Sequence, residues 1–278
     1  MAIKIIAHLA DIHIRNKVRH DEYEEQFDKL YEGLSDKFDG YEYAERRIVI
    51  SGDIVHQKNT ISNELNSIVP RFIRTLEELA PVVIIAGNHD LLQTNQNSLD
   101  TLSGMFEAAQ FKKSIFLDKQ LGYKSGCFTD DNVIWCLYSI FDDFAKTSDM
   151  VSNMVSKGDR YALGLFHGTV VGSVYCNGNV SENGVDVGLF SGCDAVLAGD
   201  IHKRQVVNSN GVEVVYPGSL IQQDYGENVS QHGYCLWYLE EGSISHEFVD
   251  LESDYGMYKF TIKGEGDVDS DMEIIINQ

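Results

Sequence analysis

Side chains that commonly bind metal ions follow five apolar segments of the sequence. Carboxylate and imidazole groups together suit manganese, iron or zinc better than calcium or magnesium, which prefer shells of oxygen alone. A single D-x-H pair on the surface or a single buried histidine is common in proteins without metals. Five apolar segments that each end in Asp, Asn or His are not explained by surface pairs or core histidines. The pattern predicts a metal centre built from Asp11, His13, Asp53, Asn88, His167, Asp200 and His202.

The local spacing of these residues fits two ions held side by side. In the segment Asp11-Ile12-His13, an extended turn places both polar side chains on the same side, so that both can reach one ion. Asp53 has two carboxylate oxygens and can bridge two ions about 3.5–4 Å apart, the separation typical of two-metal hydrolases. Gly52 and Gly87 permit sharp turns directly before Asp53 and Asn88. Hydrolysis of a phosphate ester is the chemistry expected of such a centre.

The apolar segments that carry these residues alternate with helical patterns over the first third of the chain. This order implies a parallel sheet covered by helices, in which the carboxyl ends of the strands converge on one ligand-binding crevice. The predicted strands in this part are Ile3–His8, Arg47–Ser51 and Val82–Ala86. The predicted helices are Asp21–Phe38, Ser62–Leu79 and Asn97–Ala109, with Pro70 expected to kink or split the second one.

The remaining sequence is richer in strand patterns and ends in a segment with weaker ones. We expect a main domain over residues 1–250 and the start of a small second domain over 251–278, with candidate strands at Tyr258–Ile262 and Met272–Ile276. The strands predicted for the main domain are Val133–Leu137, Tyr161–Phe166, Ala195–Ala198, Val212–Tyr216, Gly233–Leu239 and Ser243–Phe248, and the segment Asn177–Gly184 is predicted to be a polar loop.

The charge and the cysteines limit the possible partners and surroundings. A net charge of -21 argues against an extended surface that coats DNA, but not against a small basic patch or contact through a partner. The 5 cysteines form no C-x-x-C pair, which favours free thiols in a reducing compartment over a zinc ribbon. Because the sequence has neither a membrane-length apolar run nor a signal peptide, we expect a cytoplasmic protein, in the host cytoplasm if the source is viral.

The motif order D-x-H, G-D-x-x-H, G-N-H-D, H-G and G-x-x-H resembles that of the calcineurin-like metallophosphoesterases. The resemblance covers roughly Ile5 to Leu239 and is closer to the phage and prokaryotic SbcD-type nuclease subunits of DNA double-strand-break repair complexes. His56, the segment GDIHKRQ and the element Tyr216–Leu220 (YPGSL) followed by Glu227 carry the closer likeness.

This resemblance implies a fold, an activity and partners. The implied fold is a four-layer α-β-β-α sandwich with mixed sheets, formed by residues 1–250, followed over 251–278 by a partial or truncated α+β capping domain. The implied activity is that of a DNA nuclease in repair, recombination and replication, exonucleolytic on duplex ends and endonucleolytic on single strands. It would use two divalent metal ions, Mn²⁺ with Mg²⁺ as the alternative. The implied partners are DNA, an SMC-like ATPase subunit and a second copy of the chain.

The resemblance also implies roles for individual residues. His89 corresponds to the general acid, Asp90 to the group that orients it, and His56 to a residue that positions the phosphate or the DNA strand. One ion would be held by Asp11, His13, Asp53 and His202, and the other by Asp53, Asn88, His167 and Asp200.

Asp200 departs from the family pattern, which commonly has histidine at this position. Aspartate is a competent and harder ligand, which would favour Mn²⁺ or Mg²⁺ over zinc. Alternatively, Asp200 only orients another ligand.

Basic residues beside the motifs are the candidate DNA contacts, although each of them could also be an ordinary solvated surface charge. They are Arg15, Lys17, Arg19, Lys58, Lys203 and Arg204. Two other hypotheses remain at this stage. One is a small-molecule phosphodiesterase or protein phosphatase on the same scaffold, which the acidic charge favours. The other is a non-enzymatic scaffold with a decayed site, for which the identity of Asp200 is the one argument.

Overall fold

The computed structural model describes residues 2–58, 60–91, 99–143, 158–209 and 211–258. Its strands are β1 (Ile5–Leu9), β2 (Arg46–Ser51), β3 (Val82–Ile85), β4 (Ser114–Phe116), β5 (Gly126–Asp130), β6 (Val133–Tyr138), β7 (Tyr161–His167), β8 (Ala195–Gly199), β9 (Gln205–Ser209), β10 (Val212–Tyr216), β11 (Gly233–Glu240) and β12 (Ser243–Asp250). Its α-helices are α1 (His20–Lys37), α2 (Asn63–Leu79), α3 (Thr101–Ala109) and α4 (Leu117–Gln120).

The strands form two mixed sheets of six strands each. The first sheet has the order β12-β11-β1-β2-β3-β4, and the second has the order β5-β6-β7-β8-β10-β9. In the first sheet, β1, β2, β3 and β4 are parallel, whereas β11 and β12 are antiparallel to their neighbours. The prediction of an α/β fold with mixed sheets is confirmed.

The sheets pack face to face, and helices cover the outer face of the first. Because side chains alternate along β1, Ile5 and Ala7 pack against the helices, whereas Ile6 packs against the second sheet. In the described residues, the outer face of the second sheet is covered by a loop with a 3₁₀ turn at Val187–Phe190. Three buried apolar clusters therefore hold the layers together.

Helix α2 is not split at Pro70, because it continues through that residue from Asn63 to Leu79. Ile68, Val69, Phe72 and Ile73 on either side of it are all buried in the core. This packing on both sides of the proline keeps the two halves in one helix despite the lost backbone hydrogen bond.

The structure also contains elements that the sequence patterns did not predict or predicted with different bounds. Helix α3 starts at Thr101, where the Asp100 side chain accepts a hydrogen bond from Ser103 N. Strands β4, β5 and β9 and the short α4 were not predicted. Residues 259–278 lie outside the described residues, and with them most of the predicted second domain and its strands Tyr258–Ile262 and Met272–Ile276. Within the described ranges, no helix has both the length and the apolar character needed to cross a membrane.

Candidate metal centre

The loops that follow β1 and β2 run side by side and present the first predicted ligands. Asp11 N donates to Gly52 O at 3.2 Å, and His13 N donates to Asp53 O at 2.9 Å. The backbone is left-handed at Asp11, His13 and Asp53, with φ of 52°, 51° and 55°. Non-glycine residues rarely adopt this conformation, and such strain is concentrated at functional sites. The fold thus maintains an unfavourable backbone in order to aim these three side chains.

Asp53 lies between two sets of candidate ligands. Its Oδ2 is 3.5 Å from Nε2 of His13, and its Oδ1 is 3.5 Å from Nε2 of His167. All three side chains are almost completely buried. Each oxygen of this carboxylate therefore faces a different imidazole, which is the arrangement that a bridging ligand requires.

The first set consists of Asp11, His13 and His202, and we call it the first metal group. Nε2 of His13 and Nε2 of His202 are only 3.0 Å apart. The ligand atoms of the three residues lie within 4.8 Å of one another. Two imidazole nitrogens and a carboxylate oxygen that converge in this way could hold one divalent ion.

The second set includes Asp53 and His167, whose ligand atoms lie within 4.8 Å of each other and of a carboxylate oxygen of Asp11. Together with Asn88, which the sequence predicts as a ligand here, we call it the second metal group. Nδ1 of His167 donates to Ser51 O at 2.7 Å, so Nε2, which lies 3.5 Å from Oδ1 of Asp53, is the nitrogen that could bind an ion once its proton is displaced. That Nε2 and Oδ1 of Asn88 are buried and have no hydrogen-bond partner among the described residues. Buried polar atoms are normally satisfied, so these orphan atoms fit a metal ion.

Asp200 lies beside the second metal group. Its Oδ1 is 3.9 Å from Nε2 of His167, and its Oδ2 accepts a hydrogen bond from Thr169 Oγ1 at 2.8 Å. Its backbone N–H donates to both carboxylate oxygens of Asp11, at 3.1 Å each. Oδ1 of Asp200 thus lies on the side of His167, where an ion could bind, while its backbone orients another candidate ligand. Direct ligation by Asp200 stays a prediction.

The charges at the centre shift the pKa values of its groups strongly. Burial raises the pKa of Asp11 to about 7. Burial acts in the same direction on Asp53, but the charge and hydrogen bond of His167 hold the pKa of Asp53 below its usual range. Burial opposes protonation of His202, yet the hydrogen bond to Glu227 and the charge of Asp11 raise its pKa to about 9. Without cations, the site therefore retains protons that metal ions would displace.

Two further histidines flank the first metal group. The rings of His13 and His89 have centroids 4.7 Å apart, and those of His56 and His89 are stacked at 5.3 Å. Arg15 Nη1 donates to Nε2 of His56 at 3.3 Å. Burial and the charge of Arg15 lower the pKa of His56 to about 4, so this imidazole is neutral at physiological pH.

Asp90 does not have the predicted role of orienting the His89 ring. Its carboxylate accepts hydrogen bonds from the backbone N–H groups of Asp53, Gly87 and Val55 at 2.8, 2.8 and 3.2 Å. The His89 ring is held instead by its Nδ1, which lies 2.6 Å from the carbonyl oxygen of His56. The reason is geometric: the buried Asp90 carboxylate points between the loops after β2 and β3 and accepts hydrogen bonds from the backbone of both.

Two of the six predicted DNA contacts form ion pairs within the protein. Arg19 forms a two-pronged ion pair with Glu22 at 2.6 Å and also donates to Gln222 O. Arg204 forms an ion pair with Asp250 and donates to Val249 O. Both guanidinium groups are thus paired with carboxylates of the chain itself, and their role as DNA contacts stays a prediction. Arg15 is partly exposed and directed towards His56, Lys58 is partly exposed, and Lys17 and Lys203 are exposed.

Glu227 contributes to the site although the sequence reasoning gave it no role. Its Oε1 lies 2.5 Å from Nδ1 of His202, and its side chain is 2% exposed. The sequence places Glu227 shortly after the YPGSL element, which could have drawn attention to it. The sequence does not show, however, that this segment folds back onto His202.

Comparisons with known proteins identify a family and relatives of this chain. A family profile described as calcineurin-like phosphoesterase matches residues 5–204. Protein R555 of Acanthamoeba polyphaga mimivirus is 37% identical over 259 residues, which cover 91% of this chain and 18% of that protein. The SbcD component of the SbcCD nuclease from Staphylococcus saprophyticus is 26% identical over 230 residues, which cover 74% of this chain and 58% of that protein. The chain thus spans less than two thirds of the length of either relative.

A solved structure supports the fold alone. The Plasmodium protein GAP50, described as the anchor in the inner membrane complex, superposes with a TM-score of 0.52 at 13% sequence identity, over 99% of this chain and 95% of that one. The family match covers most of the chain and includes all of the candidate metal ligands. The chain therefore belongs to the calcineurin-like phosphoesterases, a family of metal-dependent hydrolases of phosphoester bonds.

Proposed function

We propose that this chain is a two-metal DNA nuclease that hydrolyses phosphodiester bonds, as an exonuclease on duplex ends and an endonuclease on single strands. The observation that carries the proposal is the position of Asp53, whose two carboxylate oxygens each lie 3.5 Å from the imidazole of a different metal group. Two Mn²⁺ ions, or Mg²⁺ in their place, are the proposed cofactors. When bound, they would supply an activated water molecule and neutralise charge on the phosphate.

The residues around the two groups have distinct proposed tasks. The Nδ1 proton of His89 is fixed by the carbonyl of His56, so the proton for the leaving oxygen must come from Nε2 of the imidazolium. Neutral His56, whose Nε2 accepts a hydrogen bond from Arg15, would help to position the substrate. A cleft of about 390 Å³ beside Asp200 and His202 gives the nucleotide room to approach.

DNA is proposed as the substrate because of the likeness to the SbcD component of the SbcCD nuclease and because of the remaining basic residues. Lys17 and Lys203 are exposed near the loops that hold the ligands, and Lys58 follows His56 closely in sequence. These three lysines would contact a few phosphates, while the acidic remainder of the chain would repel the rest of the DNA backbone. We extend the proposal to an ATPase partner and to a homodimer, in repair or recombination.

The test is incubation of the purified chain and Mn²⁺ with linear duplex DNA and with single-stranded circles. Degradation of both, abolished by chelation and by Asp53→Ala, is the expected result. If neither DNA is degraded, alone or with the ATPase, while bis-p-nitrophenyl phosphate is hydrolysed, the chain is a phosphodiesterase with another substrate.

A small-molecule phosphodiesterase or protein phosphatase is the second candidate. The net charge of -21 and the internal ion pairs of Arg19 and Arg204 favour it, since they leave few cations for a DNA backbone. Rapid turnover of a cyclic nucleotide or phosphopeptide, with DNA untouched, would establish this alternative.

A further inference from the structure

We propose that Glu227 is the positioning residue that fixes His202 as a ligand of the first metal group, so that loss of its carboxylate empties this group selectively. The inference rests on the proposed two-metal function and deepens it. It concerns the order and strength with which the two ions bind, which the family match does not address.

The contact between Glu227 and His202 determines the tautomer of the ligand. Oε1 of Glu227 lies 2.5 Å from Nδ1 of His202, so Nδ1 keeps its proton and Nε2 is the nitrogen that would offer its lone pair to an ion. That Nε2 is the atom 3.0 Å from Nε2 of His13. A carboxylate that accepts from the remote nitrogen of a metal-binding imidazole fixes the ring and makes it a stronger ligand.

The environment of Glu227 requires a carboxylate rather than an amide. Its other oxygen, Oε2, accepts hydrogen bonds from Ser219 Oγ at 3.1 Å and from Gln223 N at 2.8 Å. With His202 on Oε1, protons point at both oxygens. A glutamine in this place would turn its NH₂ group towards His202 Nδ1–H or towards the Gln223 N–H. One buried donor would then face another, and both would be left without an acceptor to offset their loss of hydration.

The same segment also holds the turn that carries the other two ligands of the group. Nε2 of Gln223 donates to the carbonyl of Ile12, between Asp11 and His13, at 3.2 Å. The carbonyl of Gln223 accepts from Arg15 at 3.0 Å. Glu227, by fixing the backbone of Gln223, therefore supports all three ligands of the first metal group.

The second metal group is held by different contacts. His167 is oriented by the carbonyl of Ser51, and Asp200 by the hydroxyl of Thr169. Neither contact involves Glu227 or the segment from Ser219 to Gln223. A change at Glu227 should therefore leave the second ion bound, which distinguishes a positioning role from a general loss of structure.

The experiment is calorimetric titration of the metal-free chain with MnCl₂. Wild type is expected to bind two ions, and Glu227→Gln to retain one of them with unchanged affinity and bind the other about 10–100-fold more weakly. Glu227→Asp should recover part of the loss. Asp224→Asn is the matched control, because Asp224 is exposed in the same loop and its carboxylate accepts from Gly226 N, not from His202.

The outcomes separate this inference from the function on which it rests. Two ions bound by Glu227→Gln with wild-type affinities, or both ions weakened equally, would overturn the selective role of Glu227 and leave the nuclease proposal standing. A wild-type chain that binds no divalent metal would overturn both. Nitrogen-15 NMR of Mg²⁺-loaded wild type needs no variant: a proton on Nδ1 of His202 is expected, and a proton on Nε2 would refute the inference.

Discussion

The imidazole of His89 is held by the backbone carbonyl of His56, 2.6 Å from Nδ1, and by no contact with the Asp90 carboxylate. This geometry leaves Nε2 of His89 as the nitrogen that can donate a proton to substrate. It also joins His89, the proposed general acid, to the loop after β2, because His56 N itself donates to Ile14 O at 3.1 Å. His89 is thus positioned by backbone that also carries candidate metal ligands.

Replacement of His89 by alanine should reduce turnover without loss of metal. We expect kcat to fall by about 10²–10⁴-fold, the usual contribution of a positioned general acid. The effect should be smaller on bis-p-nitrophenyl phosphate, whose leaving group needs little protonation. Steady-state kinetics on both substrates and Mn²⁺ binding measure this, and full activity of His89→Ala on DNA would disprove the acid assignment.

Asp90→Ala should act on stability more than on proton transfer. Removal of the carboxylate leaves the backbone N–H groups of Asp53, Gly87 and Val55 buried without an acceptor. Each such group costs about 1–3 kcal/mol, so the free energy of unfolding should fall by roughly 3 kcal/mol or more. Urea denaturation measures the loss, and Glu107→Ala on the exposed surface is the control. A fully stable Asp90→Ala chain with only a shifted pH–rate profile would favour the orienting role over the structural one.

The contrast between His89 and Asp90 shows what the sequence could predict. The strand-end motifs identified residues that the fold brings together, since apolar strands with polar ends obey the geometry of parallel sheets. Which atom contacts which could not be predicted, because Asp90 follows His89 directly in sequence yet points into the space between two loops. The contact of Arg19 with Gln222 and the roles of Arg204 and Glu227 depend on partners 25 to 203 residues away and are set by tertiary packing.

Metal affinity should depend strongly on pH. The pKa of His202 is raised to about 9 in the metal-free chain, and that of His167 also lies well above its ordinary value, because Asp53 and other carboxylates outweigh the effect of burial. Below pH 9 the incoming ion must displace a proton from His202, so binding releases at least one proton. The affinity for Mn²⁺ should therefore rise by about one order of magnitude per pH unit for each proton displaced, and level off once the pH exceeds the raised pKa values of both histidines. Titration in buffers with different ionisation enthalpies counts the protons, and an affinity independent of pH between neutrality and the pKa of His202 would contradict the expectation.

The basic residues should divide into two classes when DNA binding is measured against salt. Lys17 and Lys203 are exposed. If one of them contacts a phosphate, its replacement by alanine should make the negative slope of log K against log salt less steep by about 0.9 on duplex DNA. Arg204 is matched to them in charge, but its guanidinium is paired with Asp250 and stacked over Phe248. Arg204→Ala should therefore leave the slope unchanged while lowering the melting temperature. Fluorescence anisotropy at several salt concentrations with catalytically inactive Asp53→Ala protein measures the slopes, and equal effects of Lys203→Ala and Arg204→Ala would show that the ion pair with Asp250 opens when DNA binds.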